Sequence, residues 1–140
     1  MKQHNPWRVY IFFCTILAMI YFVSTFCVLA SEERRELWTG SLYSSTYRAG
    51  ICIKSNGDMY GALYLRQATG AVDRYTISGK VDGEHITASH HSGHAFEGRF
   101  ASEDTVQGEL TLKNGHKLAV RALRAPAPEV DEFCRLVRQQ

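Results

Sequence analysis

Residues 109–120 read Glu-Leu-Thr-Leu-Lys-Asn-Gly-His-Lys-Leu-Ala-Val. Apolar and polar side chains alternate on both sides of Lys113-Asn114-Gly115, as they do in two half-buried strands joined by a tight hairpin. The faces fix the loop length. A two-residue loop sets Leu112 opposite Lys117 and places apolar Leu110 and charged Lys117 on one face. A three-residue loop, with Gly115 left-handed in a bulge, sets Leu110 opposite Leu118 and keeps that face apolar. The second arrangement is the one expected.

The same reasoning extends outward. At Ser55-Asn56-Gly57 a three-residue loop pairs Ile51 with Gly61 and Ile53 with Met59. At Asp82-Gly83 a two-residue turn pairs Gly79 with Ile86. At His91-Ser92-Gly93 a three-residue loop pairs Ile86 with Gly98 and Ala88 with Phe96, which leaves His90 directly opposite His94. Alternating runs recur at 37–43, 47–54, 59–66, 72–81, 85–90, 94–100, 106–112 and 116–123. Eight successive strands with short connections imply a mainly β fold, a small antiparallel up-and-down barrel. Gly61, Gly79, Gly98 and Gly108 all fall on the apolar face. Glycine there serves sharp coiling of the strands or leaves room for a large side chain above it. The expected interior is filled, with Trp38 as a plug and Tyr75, Phe96 and Phe100 over the glycines; the alternative is a cavity.

After Arg121 the pattern changes. Ala125-Pro126-Ala127-Pro128 is a stiff break. Glu129–Gln140 then sets Val130, Phe133, Cys134 and Val137 on one helical face. Pro128, Glu129 and Asp131 suit a helix start, and Arg135 and Arg138 its end. This short C-terminal helix is expected against the barrel.

At the other terminus, Met1–Arg8 is short and basic, and Val9–Ala30 runs 22 residues without a charge. The segment has the form of a secretory signal, with Val28-Leu29-Ala30 permitting cleavage before Ser31. It is also long enough to span a bilayer uncleaved. A third route, lipidation at Cys27, meets bulky Phe26 where a small residue is needed. In each case Lys2 and Arg8 stay inside and the body is exported, to the periplasm or the outside, free or tethered to the membrane through residues 9–30. The expected organisation is a signal or anchor over 1–30, a barrel domain over 31–125 and the helix over 126–140.

The 140 residues suffice for one domain. Two of the 16 bases lie in the first thirty residues, which leaves fourteen bases against fourteen acids in the body. A neutral body gives no reason to expect nucleic acid as a partner. Of the four cysteines, Cys14 and Cys27 lie in the apolar segment. Cys52 and Cys134 remain for one disulfide in an oxidising compartment, or as two buried thiols.

The chain carries no phosphate loop, HExxH, EF-hand or dinucleotide fingerprint, and no spacing that marks a nucleophile with its base. No catalytic residue and no cofactor are expected. Arg74, Lys80, Glu97, Arg99 and Arg121 read as the wet outside of the barrel. The richest polar cluster is His90-His91-Ser92-Gly93-His94. Two facing imidazoles at one barrel end, with His91 or a carboxylate as a third ligand, would suit zinc, copper or nickel; a solvated hairpin tip is the plainer reading.

In architecture, the strand lengths, the Asn-Gly and Asp-Gly hairpins and the closing helix resemble the lipocalin and avidin group of meander barrels. The opening Leu37-Trp38-Thr39-Gly40 is similar to the tryptophan near the first strand of such barrels, although Glu36 stands where the lipocalin Gly-x-Trp order has glycine. The resemblance implies a small ligand inside the barrel or a protein at its mouth. The expectation is an exported, non-enzymatic binding module for a protein partner or a small apolar ligand, with histidine-based metal binding as the alternative.

Overall fold

The computed structural model describes residues 33–127 and 130–138. Eight strands follow one another: β1 (Arg34–Leu42), β2 (Ser45–Ile53), β3 (Asp58–Arg66), β4 (Val72–Asp82), β5 (His85–Ser89), β6 (Ala95–Ser102), β7 (Thr105–Thr111) and β8 (Lys117–Ala125). Each pairs antiparallel with its neighbour in sequence, and β1 pairs with β8, so the sheet closes into a barrel. One helix, α1 (Val130–Arg138), follows. The signal or anchor expected over residues 1–30 lies outside the described residues. Among the described residues no helix is long and apolar enough to cross a membrane.

Turn chemistry sets most of the register. Leu110 faces Leu118, Ile51 faces Gly61, Ile53 faces Met59, and Ala88 faces Phe96, as the face argument requires. The three loops behind these pairings end in Gly57, Gly93 and Gly115, each with positive φ. The same device closes β3 to β4 through Gly70, also at positive φ. In each loop the glycine N–H returns to the residue that opens the loop, as in Gly115 N–H to Leu112 O at 2.8 Å. Only glycine takes that conformation without a steric penalty.

One expected pairing is wrong by two residues. Gly79 faces Ala88, not Ile86, and Val81 faces Ile86. The turn is Gly83-Glu84 rather than Asp82-Gly83, because Gly83 supplies positive φ (59°) at the first loop position. A slip of two keeps every side chain on its face, so the inside and outside of the barrel are unchanged.

The inward glycines are contact points between backbones. A Cβ on Gly79 would lie 1.9 Å from Thr87 O, and one on Gly61 would lie 2.0 Å from Gly50 O. At Gly98 and Gly108 it would meet both the Phe96 ring and a neighbouring strand. Sharp coiling is thus the main need they serve. Gly40 plays a different part. It clears a path for Tyr47, whose hydroxyl crosses β1 to donate to Arg121 O at 2.9 Å.

A second core lies outside the barrel. Leu37, Cys52 and Ala62 point outward from β1, β2 and β3 and are covered by Val130, Phe133 and Cys134 of α1. Gly50 leaves space for the Phe133 ring, which would come within 2.3 Å of a Cβ there. Tyr64 meets Phe133 edge to face at 5.1 Å. Cys52 and Cys134 lie at disulfide distance, with Cα atoms 6.0 Å apart. On the other strands the outward positions Arg74, Lys80, Glu97, Arg99 and Arg121 are exposed.

Candidate functional site

The barrel has two unlike ends. The hairpins β2–β3, β4–β5 and β6–β7 lie at the end where β1 starts, and it is plugged. Trp38 is 3% exposed there, packed on Phe100 at 5.8 Å between ring centroids. The Arg124 guanidinium covers the indole at 4.7 Å. Glu36, an inward residue one turn of the pleat away, is 2% exposed. Its Oε2 accepts the Trp38 Nε1–H at 3.0 Å. Its Oε1 sits 2.8 Å from Arg34 Nε and 3.1 Å from Arg124 Nη1. Neither contact has hydrogen-bond geometry, so charge rather than directed bonding holds that oxygen. A buried carboxylate needs such company, because desolvation without a counter-charge costs several kcal/mol.

The rest of the interior is hollow. The expectation of a filled barrel is overturned: an apolar cavity of about 420 Å³ runs from Trp38 to the opposite end. Inward residues near the plug (Ile53, Met59, Ile86, Val106, Ala122) are buried. Those farther along (Leu63, Leu65, Tyr75, Ile77, Phe96, Leu110, Leu118, Val120) line the cavity and are only half-buried. Apolar side chains on an inner face stay accessible only if nothing fills the space between them. The gradient places the mouth at the end carrying the β1–β2, β3–β4, β5–β6 and β7–β8 hairpins. The aromatics expected to fill the barrel do not: Trp38 sits at its floor, while Tyr75 and Phe96 lie along its wall.

The mouth carries the polar groups. Tyr43, on the β1–β2 hairpin, is 83% exposed and has φ of 53°, although it is not glycine. His90 and His94 line the cavity and flank the Tyr75 ring edge to face, at 5.2 and 6.4 Å. The expected pairing holds. His90 N–H donates to His94 O at 2.9 Å and the two rings lie nearly parallel, 6.4 Å apart. The His91 ring lies beside His90, tilted by 48°, with centroids 4.0 Å apart. Partial burial and the neighbouring His91 and His94 push the His90 pKa below its ordinary 6.5. The Ser92 N–H donates to His90 Nδ1 at 3.2 Å, and the Lys113 N–H to His94 Nδ1 at 3.3 Å. His94 Nδ1 accepts that N–H and so carries no proton, which puts the hydrogen of the neutral ring on Nε2; His90 Nδ1 also lies 2.6 Å from Ser92 Oγ, and its tautomer follows the direction of that bond.

For a metal, His90, His91 and His94 offer a pair of facing rings and a third beside them, but they do not bring three donor atoms together. Among the described residues, the one group of three possible ligand atoms within 4.8 Å of one another is Glu33, Cys52 and Cys134. Its two sulfurs are paired with each other. Metal centres usually take three or four ligands with supporting hydrogen bonds.

Several residues of the site carry no motif. Glu36 and Arg124 are single charges at strand ends; only their alternation parity with Trp38 marks them as inward. Tyr43 looks like a strand residue, because nothing but glycine or asparagine normally announces a left-handed turn position. Fold and site together define an eight-strand meander barrel, plugged at one end and hollow toward the other. No family model matches the chain, and neither does any curated protein or solved structure.

Proposed function

We propose that this protein is an exported, non-enzymatic binding module that holds a small apolar ligand inside its barrel. The cavity carries the reading. Its volume falls in the range of small-molecule sites, about 300–1,000 Å³, and its walls are almost wholly apolar with a few polar groups at one end. The walls keep apolar surface accessible that would otherwise be buried, and each half-exposed Leu or Ile forgoes part of about 1.5–3 kcal/mol. Export is supported by the uncharged Val9–Ala30 stretch and by the pairing of Cys52 with Cys134.

The test is a titration of the apolar fluorophore N-phenyl-1-naphthylamine into the full chain in lipid nanodiscs, with empty nanodiscs subtracted. Saturable one-site binding is expected. Val120→Trp, which puts an indole into the hollow section, should abolish it while the circular dichroism spectrum is kept. Fluorescence that never saturates, or that Val120→Trp leaves unchanged, would overturn the reading.

A further inference from the structure

The two histidines at the mouth are placed to do more than decorate a hairpin. Both line the cavity. Both have Nδ1 turned to the protein: that of His94 accepts the Lys113 N–H, and that of His90 meets the Ser92 N–H at 3.2 Å and the Ser92 hydroxyl at 2.6 Å. The two rings are held in near-parallel planes 20° apart, against the edge of Tyr75. In the neutral form His94 therefore presents an Nε2–H donor, and His90 presents one when the Ser92 hydroxyl donates to its Nδ1; neither Nε2 has a protein partner among the described residues. Two imidazoles with Nε2 unengaged at the mouth of an apolar cavity form half of a recognition site. The missing half is a group that accepts hydrogen bonds.

We propose that His90 and His94 are the head-group site of the barrel. They donate through Nε2 to the acceptor end of an amphiphile, a carboxylate or a carbonyl, whose apolar part fills the cavity. The inference rests on the proposed apolar-ligand reading and adds the ligand's polarity and its orientation, tail toward Trp38 and head at the mouth. The far end of the cavity favours this direction. The Glu36 carboxylate there already engages Trp38, Arg34 and Arg124.

Dodecanoic acid is the probe, and N-phenyl-1-naphthylamine the control that has no carboxylate or carbonyl. On the full chain in nanodiscs, dodecanoic acid is expected to displace the fluorophore. In a His90→Phe, His94→Phe double variant, which keeps ring bulk and removes both donors, displacement is read against that variant's own affinity for the fluorophore. Displacement by dodecanoic acid should weaken roughly tenfold, the loss of two hydrogen bonds of about 1 kcal/mol each or somewhat less. Equal displacement in both proteins overturns the head-group assignment and leaves the cavity reading standing. No fluorophore binding by the wild-type chain overturns both. If the double variant loses the fluorophore too, the single variants His90→Phe and His94→Phe decide. At least one must bind it normally and dodecanoic acid several-fold less well, and the assignment fails if neither does.

Discussion

His90 couples the mouth of the barrel to pH. Its pKa lies below 6.5 in the folded chain, because partial burial and two neighbouring imidazoles disfavour its charge. The sign of the effect follows. Between the folded value and about 6.5 the unfolded chain binds the proton and the folded chain does not, so stability rises with pH across that window. It is flat above the window, and His90 opposes folding below it. Protonation also places a hydrogen on Nδ1, which ends the Ser92 N–H contact there and leaves Ser92 Oγ, 2.6 Å away, as the acceptor. Denaturant midpoints should fall between about pH 7.5 and about pH 5.5, and the fall should be smaller in His90→Gln. An unchanged fall in the variant would assign the effect to other groups. Glu36 offers a second test at this scale. Its two arginines are 56% and 35% exposed at the side chain and can return to water. The Trp38 N–H is buried and has no such exit. Glu36→Ala should therefore cost about 2 kcal/mol, most of it from the orphaned indole donor. Glu36→Gln, which keeps an acceptor, should cost clearly less. Equal losses in the two variants would mean that charge dominates. Neither effect was visible in the sequence: Glu36 precedes the first alternating run, and an acid beside an arginine normally reads as surface.

Among the elements, hairpins were the most legible. An Asn-Gly or Ser-Gly tip states both the turn type and, through side-chain parity, the register, and three such loops stand where the faces put them. The Asp82-Gly83 turn misled because two frames satisfy the same parity, and only the φ of Gly83 separates them. The helix α1 was legible for a similar reason, since Val130, Phe133 and Cys134 form one face and all three are buried. Its stability depends on the body beneath it. Nine residues are too few to hold a helix alone in water. Packing on Leu37 and Ala62 and the link to Cys52 supply what propensity does not. The crosslink spans 82 residues, so the chain-entropy model gives about 4–5 kcal/mol, a large fraction of a typical domain's stability. A Cys52→Ala, Cys134→Ala double variant should lose about that much in guanidinium denaturation. Its α1 amides should exchange faster than those of β5 to β7. A loss below about 1 kcal/mol would show that packing alone secures the helix.

For the whole molecule the decisive quantity is the empty volume, and sequence pattern does not contain it. Alternation says which side chains face inward, but the radius of the barrel depends on how tightly the strands coil and how far they slide past one another. The inward glycines at 61, 79, 98 and 108 bring neighbouring backbones together. They do so without drawing the opposite walls into contact, so the same residues that argue for a narrow barrel coexist with a cavity of about 420 Å³. A hollow fold of this kind is stabilised by whatever fills it. A ligand that binds only the folded chain adds about 2.7 kcal/mol at a hundredfold excess over its Kd. For a domain of this size that corresponds to about ten degrees in Tm. Dodecanoic acid should therefore raise the melting temperature of the wild-type chain by about that amount, in proportion to the logarithm of its concentration. Val120→Trp should melt at a temperature that the acid does not change, because the indole already occupies the space. A rise of equal size in that variant would place the acid outside the barrel, on the lipid or on the outer surface, and would leave the cavity without an occupant.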